Sequence, residues 1–272
     1  ESYLPKRYDS YAYQMDAVKQ CFSTMKQHGG FMLADVVGLG KTIVGTLVIK
    51  HFLNFPDEDG RERKVLIVTP PAIKSAWLDT IKEFDTDCVD PMMPCIEFIT
   101  TGSIGKLIDD ADESGDDADS GEFETELKSE NYGLIIIDES HKFRNAGTAM
   151  YRALDELIAR IGLSGHGYPY VGLLSATPQN NAPNDLKNQI YLFQRDRKCS
   201  TLENVPGKDL EAFFARVGKT YNELRAALKD IVTNPEAHGP NDRDAIKAEI
   251  QNLAVEIRDS VLYLNGKRVL FK

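Results

Sequence analysis

Residues Phe31–Thr42 read FMLADVVGLGKT, and the order within that stretch sets the fold. A short apolar run leads into a glycine-rich turn, and the turn opens onto residues of helical spacing. Gly38 and Gly40 let the backbone bend tightly and aim its N–H groups at an anion, and the start of the following helix adds its positive dipole end. Lys41 can reach the β- and γ-phosphates of a nucleotide, and the Thr42 hydroxyl suits Mg²⁺. Asp35, Gly38, Leu39, Gly40, Lys41 and Thr42 are therefore the candidate phosphate-binding set. Asp35 stands where the general GxxxxGK[ST] pattern has a glycine.

Outward from this stretch the same alternation continues. Apolar, β-branched runs end at Asp35, near Thr69, at Thr100, at Asp138 and at Ala176, and helical patterns start at Lys41, Ala72, Thr148 and near Pro183. Such alternation predicts an α/β fold, a parallel sheet built from βαβ units with helices on both faces. Ligands of open α/β sheets lie beyond the carboxyl ends of the strands, so the residues after each run carry the most information. From Leu210 onward the period is helical throughout. Leu210, Phe213, Phe214, Val217, Tyr221, Leu224, Leu228 and Ile231 share one face, with a bend expected at Gly218. Ile246, Ile250, Leu253, Ile257 and Val261 repeat the pattern after the breaker-rich NPEAHGPND. The prediction is a C-terminal helical hairpin, which periodicity alone leaves open as either a packing appendage or an interaction arm.

The second informative stretch is Leu134–His141, LIIIDESH. A buried strand that delivers two carboxylates at its tip builds a cation site. Asp138 is suited to hold Mg²⁺, and Glu139 to orient and deprotonate a water attacking a γ-phosphate. The competing role for Asp138 is an ordinary helix cap.

Composition limits the alternatives. The 272 residues are 42% hydrophobic and 27% charged, as expected of a globular chain. No run is long and apolar enough to span a membrane, and the opening residues do not resemble a secretory signal. The four cysteines show no metal-ligand spacing, which fits a reducing, intracellular compartment: cytoplasm or nucleoid in a prokaryote, nucleus in a eukaryote. The net charge of −10 would argue against nucleic acid, but Asp109–Glu126, DDADESGDDADSGEFETE, holds ten acidic residues and no basic one. Outside it, 32 acidic residues face 32 basic ones. That run is expected to be a solvated, mobile insertion.

Together, DVVGLGKT and LIIIDESH resemble the first RecA-like lobe of a superfamily-two helicase, most closely the Swi/Snf-related DNA translocases. That branch carries an acidic residue at the position of Asp35 and ends its second motif in Asp-Glu-x-His, as Asp138–His141 do. HKFRN, from His141, resembles the continuation. LIVTPPAIKSAW, Leu66–Trp77, resembles the segment that lies along the nucleic-acid backbone in relatives, which makes Thr69, Pro70 and Lys74 candidate nucleic-acid contacts. Trp77 itself reads as a core residue. LLSATPQNN, Leu173–Asn181, resembles the third motif, with His141, Ser175 and Thr177 as coupling candidates. It departs from the branch at Ala176 and Asn180. Gln14, closing YAYQ, resembles the adenine-reading glutamine.

The resemblance implies ATP and Mg²⁺ as cofactors, with Lys41, Asp138 and Glu139 as the catalytic group and Thr42 and Asp138 as the metal ligands. It implies a RecA-like lobe over 1–200, with the acidic insertion at about 109–126, and a helical protrusion over 201–272. Such a lobe acts on double-stranded DNA together with a second RecA-like lobe, for which nothing in this chain is a match, and is weak as an ATPase alone. A strand-separating DNA or RNA helicase, a restriction-system motor, and a nucleotide-gated binding module without turnover are the alternatives.

Overall fold

The computed structural model describes residues 5, 11–34, 40–54, 60–86, 88–104, 131–176, 182–261, 263–264 and 267–268. Asp35, Gly38, Leu39 and Thr177, and the acidic run at 109–126, lie outside the described residues.

Five strands form one parallel sheet: β1 (Gly30–Ala34), β2 (Val65–Thr69), β3 (Ile96–Thr100), β4 (Leu134–Asp138) and β5 (Tyr170–Ser175), in the order β1-β5-β4-β2-β3. All but β3 are buried along their whole length. That explains why they read as unbroken apolar runs, since a strand covered on both faces has no polar side to show. The edge strand β3 is only half-buried.

Alternate residues of each strand feed two cores. Val65, Ile67, Leu134, Ile136 and Leu174 face one side, packed by α1 (Ala12–His28), α2 (Lys41–Asn54) and α3 (Pro71–Asp85). Leu66, Val68, Ile135, Ile137 and Leu173 face the other, packed by α4 (Ala149–Leu163) and α5 (Pro183–Tyr191). The sequence accounts for the helix starts. Proline occupies the first turn of α3 and of α5, where a missing N–H costs nothing. The Thr148 hydroxyl accepts the Tyr151 N–H at the start of α4.

The hairpin is formed by α6 (Leu210–Thr233), which runs without interruption through Gly218, and α7 (Asp242–Val261). Its base does not stand apart. Leu210, Phe213, Phe214 and Val217 of α6, with Leu253, Ile257 and Val261 of α7, belong to the same apolar cluster as the α4 and α5 face of the sheet. The cluster runs through Leu202 and Val205, so the core continues across residue 200. Two short antiparallel strands, β6 (Tyr263–Leu264) and β7 (Lys267–Arg268), complete the described chain. No described helix is long and apolar enough to cross a membrane.

Candidate nucleotide site at the strand tips

The strand order brings the motifs together. β5 lies between β1 and β4, with Ala34 beside Ser175 and Asp138 beside Leu174. The exits of the three strands therefore share one end of the sheet, the end where open α/β folds bind ligands.

Gly40 closes the described part of the phosphate loop with φ +86°, a conformation that favours glycine. Its carbonyl accepts the Val44 N–H, which starts α2, so Lys41 and Thr42 occupy the first turn of that helix. A side-chain carbon at position 40 would come within 2.7 Å of Gln14 Nε2. The Gln14 amide thus lies directly on the loop glycine, held there by the first turn of α1, where the Gln14 N–H bonds the Tyr11 carbonyl at 3.0 Å. The alternation of strands and helices from Phe31 onward says nothing of α1. The structure makes it the support for Gln14.

Asp138 is buried at the tip of β4. Its Oδ1 accepts the Glu139 N–H at 2.8 Å, and its Oδ2 accepts the indole N–H of Trp77, also at 2.8 Å. Burial pushes its carboxyl above the ordinary carboxylate range. The Trp77 and Glu139 hydrogen bonds oppose that shift, the Glu139 charge adds to it, and the Lys41 ammonium is near enough to counter it. Lys41 and Asp138 therefore act on each other across the site. A desolvated carboxylate at a strand tip favours a neighbouring positive charge.

Glu139 has left-handed backbone angles, φ 52° and ψ 47°. Its carboxylate, about a third exposed, lies 3.0 Å from His141 Nδ1, and the same nitrogen lies 3.3 Å from the buried Ser175 Oγ. An ionised carboxylate can only accept, so the proton of this imidazole sits on Nδ1. Glu139, His141 and Ser175 form one polar chain from the second motif to the third. Behind it, Ser140 Oγ donates to Gln189 Oε1 at 2.8 Å in the core, and Gln189 Nε2 donates to the Asp185 carbonyl. The second motif is thereby fastened to α5.

The candidate nucleic-acid contacts are placed differently. Thr69 is fully buried, and its carbonyl accepts the Thr101 N–H at 3.0 Å; Pro70 is buried beside it. Neither side chain is exposed, and the turn that follows β3 covers the end of β2 through that Thr101 bond. Lys74 is half-exposed, its ammonium 5.9 Å from the Phe98 ring centre. The surface at this strand exit is made by Pro71, Ala72 and Ser75 at the exposed start of α3.

Two residues of consequence escape a reading of the motifs. Trp77 is a core residue, as its apolar setting indicates, and it also holds the Asp138 carboxylate. The usable signal is that a buried indole N–H normally finds an acceptor. Gln189 carries no such signal, since its partner lies far away in the chain. Among the described residues, no group of three or more His, Cys, Asp or Glu forms a metal cage.

A RecA-like lobe in which the helix after β1 opens with Lys41 and β4 ends in the acidic pair Asp138–Glu139 defines the class as a helicase-family ATPase domain. The chain belongs to the family described as "Type III restriction enzyme, res subunit", whose model matches residues 7–180. Within it the chain is a Swi/Snf-like lobe. It is 29% identical over 169 residues to the uncharacterised ATP-dependent helicase YqhH of Bacillus subtilis (strain 168), covering 62% of this chain and 27% of that protein. It is 26% identical to the SWI/SNF-related matrix-associated actin-dependent regulator of chromatin subfamily A-like protein 1 homolog of Caenorhabditis elegans, over 95% of this chain and 34% of that one. The RNA polymerase-associated protein RapA of Actinobacillus pleuropneumoniae is 23% identical over 89% of this chain and 26% of its own length. The chain thus spans about a third or less of the curated relatives it matches. Its fold is like that of the Sulfolobus solfataricus SWI2/SNF2 ATPase core in complex with dsDNA, with TM-score 0.53 and 15% identity over 98% of this chain and 62% of that one.

Proposed function

We propose that this chain is the ATP-binding and hydrolysing first lobe of a motor that translocates on double-stranded DNA inside the cell, completed by a second RecA-like lobe. The observation that carries the reading is the meeting at the strand tips of Lys41 and the Asp138–Glu139 pair, with His141 and Ser175 extending the pair towards the third motif.

The residues fit a nucleotide and its metal ion. Gly40 has the left-handed backbone from which α2 opens, the carboxylate at the tip of β4 accepts two hydrogen bonds from the described residues and has lone pairs beyond them, and Thr42 lies in the first turn of α2. Thr42 and Asp138 would hold Mg²⁺, which when bound neutralises the β- and γ-phosphate charge. Gln14 can offer both donor and acceptor to the adenine edge while its amide rests on the phosphate loop. Lys41 and the N–H groups at the start of α2 bind the phosphates. Glu139 orients a water and takes its proton, and His141 holds that carboxylate in place and carries its state to Ser175.

Translocation on duplex DNA is the finer part of the proposal. The Swi/Snf-related and RapA relatives support it, and the solved dsDNA-bound core shares the fold. A motor that grips backbone phosphates reads little sequence.

The test is phosphate release by a protein carrying both lobes, with and without duplex DNA, beside calorimetry of nucleotide binding. Lys41→Ala is expected to abolish nucleotide binding, and Glu139→Gln to retain it while stopping turnover. Undiminished binding in the first variant would remove the phosphate-loop assignment, and undiminished turnover in the second would move the base elsewhere. Stimulation by single strands but not by duplex would favour the strand-separating alternative.

A further inference from the structure

We propose that Trp77, the only tryptophan in the chain, is a positioning residue that holds the Asp138 carboxylate ready for the metal–nucleotide complex. The inference rests on the nucleotide-site reading above and goes beyond it in assigning a task to a side chain of the core.

Three observations carry it. The two hydrogen bonds that the Asp138 carboxylate accepts from the described residues are unlike each other. The bond from the Glu139 N–H is local and open to any aspartate at a strand end, whereas the bond from Trp77 Nε1 comes from a helix 61 positions away. Together they fix the carboxylate plane, and they leave further lone pairs for a cation. Second, the indole N–H is a donor only, so the bond has one polarity and cannot invert.

Third, the ring is confined. Trp77 is 0% exposed, and a carbon added at Gly45 would lie 2.7 Å from its Cη2 and 3.3 Å from Leu174 Cδ1. Gly45 stands one helical turn after Lys41 in α2, and Leu174 pairs with Asp138 across the sheet. One side chain therefore packs against the helix that opens with Lys41 and Thr42 and, at its other edge, bonds the Asp138 carboxylate. A shift of α2 on nucleotide binding would reach Asp138 through the indole, as hydrogen-bond partners of metal-binding carboxylates commonly orient them.

The experiment uses the 272-residue chain with ADP and Mg²⁺, or ADP and a chelator, followed by calorimetry and by indole emission. In the wild type, emission is expected to change with ADP in the presence of Mg²⁺ and to change much less when the metal is withheld. Trp77→Phe keeps a ring in the space and removes the N–H. It is expected to keep metal-free ADP affinity within about twofold and to lose about tenfold or more of the affinity that Mg²⁺ adds. A Mg²⁺ contribution unchanged in Trp77→Phe would overturn the positioning role while leaving the nucleotide site intact. Wild-type emission indifferent to Mg²⁺, with metal-dependent binding seen by calorimetry, would overturn it without relying on any variant. No binding of ADP to the wild type under either condition would instead remove the nucleotide-site reading on which the inference stands.

Discussion

Glu139 occupies a backbone conformation that costs a non-glycine residue about 1–3 kcal/mol. The turn that imposes it aims the Glu139 N–H back at Asp138 and its side chain at His141. Glycine adopts these angles without strain but gives back roughly 0.4–1 kcal/mol through the freer unfolded chain. The partly exposed contact with His141 is worth at most about 1 kcal/mol. Glu139→Gly is therefore expected to melt at the same temperature as the wild type or slightly above it, while losing turnover. A fall of many degrees in thermal denaturation would show that the turn is not strained. His28 gives a prediction of opposite character. Burial holds its imidazole below the ordinary histidine value; the Glu203 charge and Thr201 oppose that effect, and the Lys208 charge adds to it. Its Nδ1 lies 3.0 Å from the Thr201 hydroxyl. Above about pH 6.5 the ring is neutral in both folded and unfolded chains, so it adds no pH dependence. Below that, the unfolded chain takes up a proton that the folded one resists, and stability falls as pH falls towards the depressed folded value. Urea midpoints measured across that window should decline in the wild type and decline less in His28→Gln; parallel declines would exclude His28 as the source.

At the scale of elements, the hairpin is two things along its length. Near its base, Phe214 and Val217 are buried in the core shared with the sheet, and the Phe214 ring meets Tyr191 of α5 edge-on, 6.1 Å between centres. Towards its tip, Leu224 and Leu228 are only half-covered and Val232 is 66% exposed. Phe214→Ala should cost about 3–5 kcal/mol in chemical denaturation, whereas Leu228→Ala should stay within about 1 kcal/mol. Equal losses would mean that the whole hairpin folds as one unit with the sheet. This gradient marks how far the sequence can be read. A spacing of three and four identifies an apolar face but not what the face packs against, so periodicity alone does not place the base of the hairpin in the core. Four of the five strands were legible because burial on both faces leaves an unbroken apolar run between turn signals. The two motifs were legible because loop chemistry demands particular residues at fixed offsets. The Trp77–Asp138 and Ser140–Gln189 bonds were not, since each joins residues 49 or more positions apart that only the strand order brings together.

For the molecule as a whole, the question is what a site at one end of one sheet can accomplish alone. In the proposed reading the lobe supplies phosphate binding through Lys41, an acidic strand tip through Asp138 and Glu139, and a polar chain that reaches Ser175. In phosphoryl transfer the charge that develops on the γ-phosphate is commonly met by an arginine brought in from outside the nucleotide pocket, a contribution of roughly 10³–10⁵ in rate. If a second lobe supplies that group, the 272-residue chain should bind ATP yet release phosphate at least about a thousandfold more slowly than a protein carrying both lobes. Duplex DNA should stimulate the two-lobed protein alone, because gripping a backbone from two sides is what couples closure to movement. Steady-state phosphate release by both proteins, with and without duplex, measures this directly. Comparable rates would mean that this lobe stabilises the transition state with its own cations, and the division of labour between two lobes would have to be abandoned.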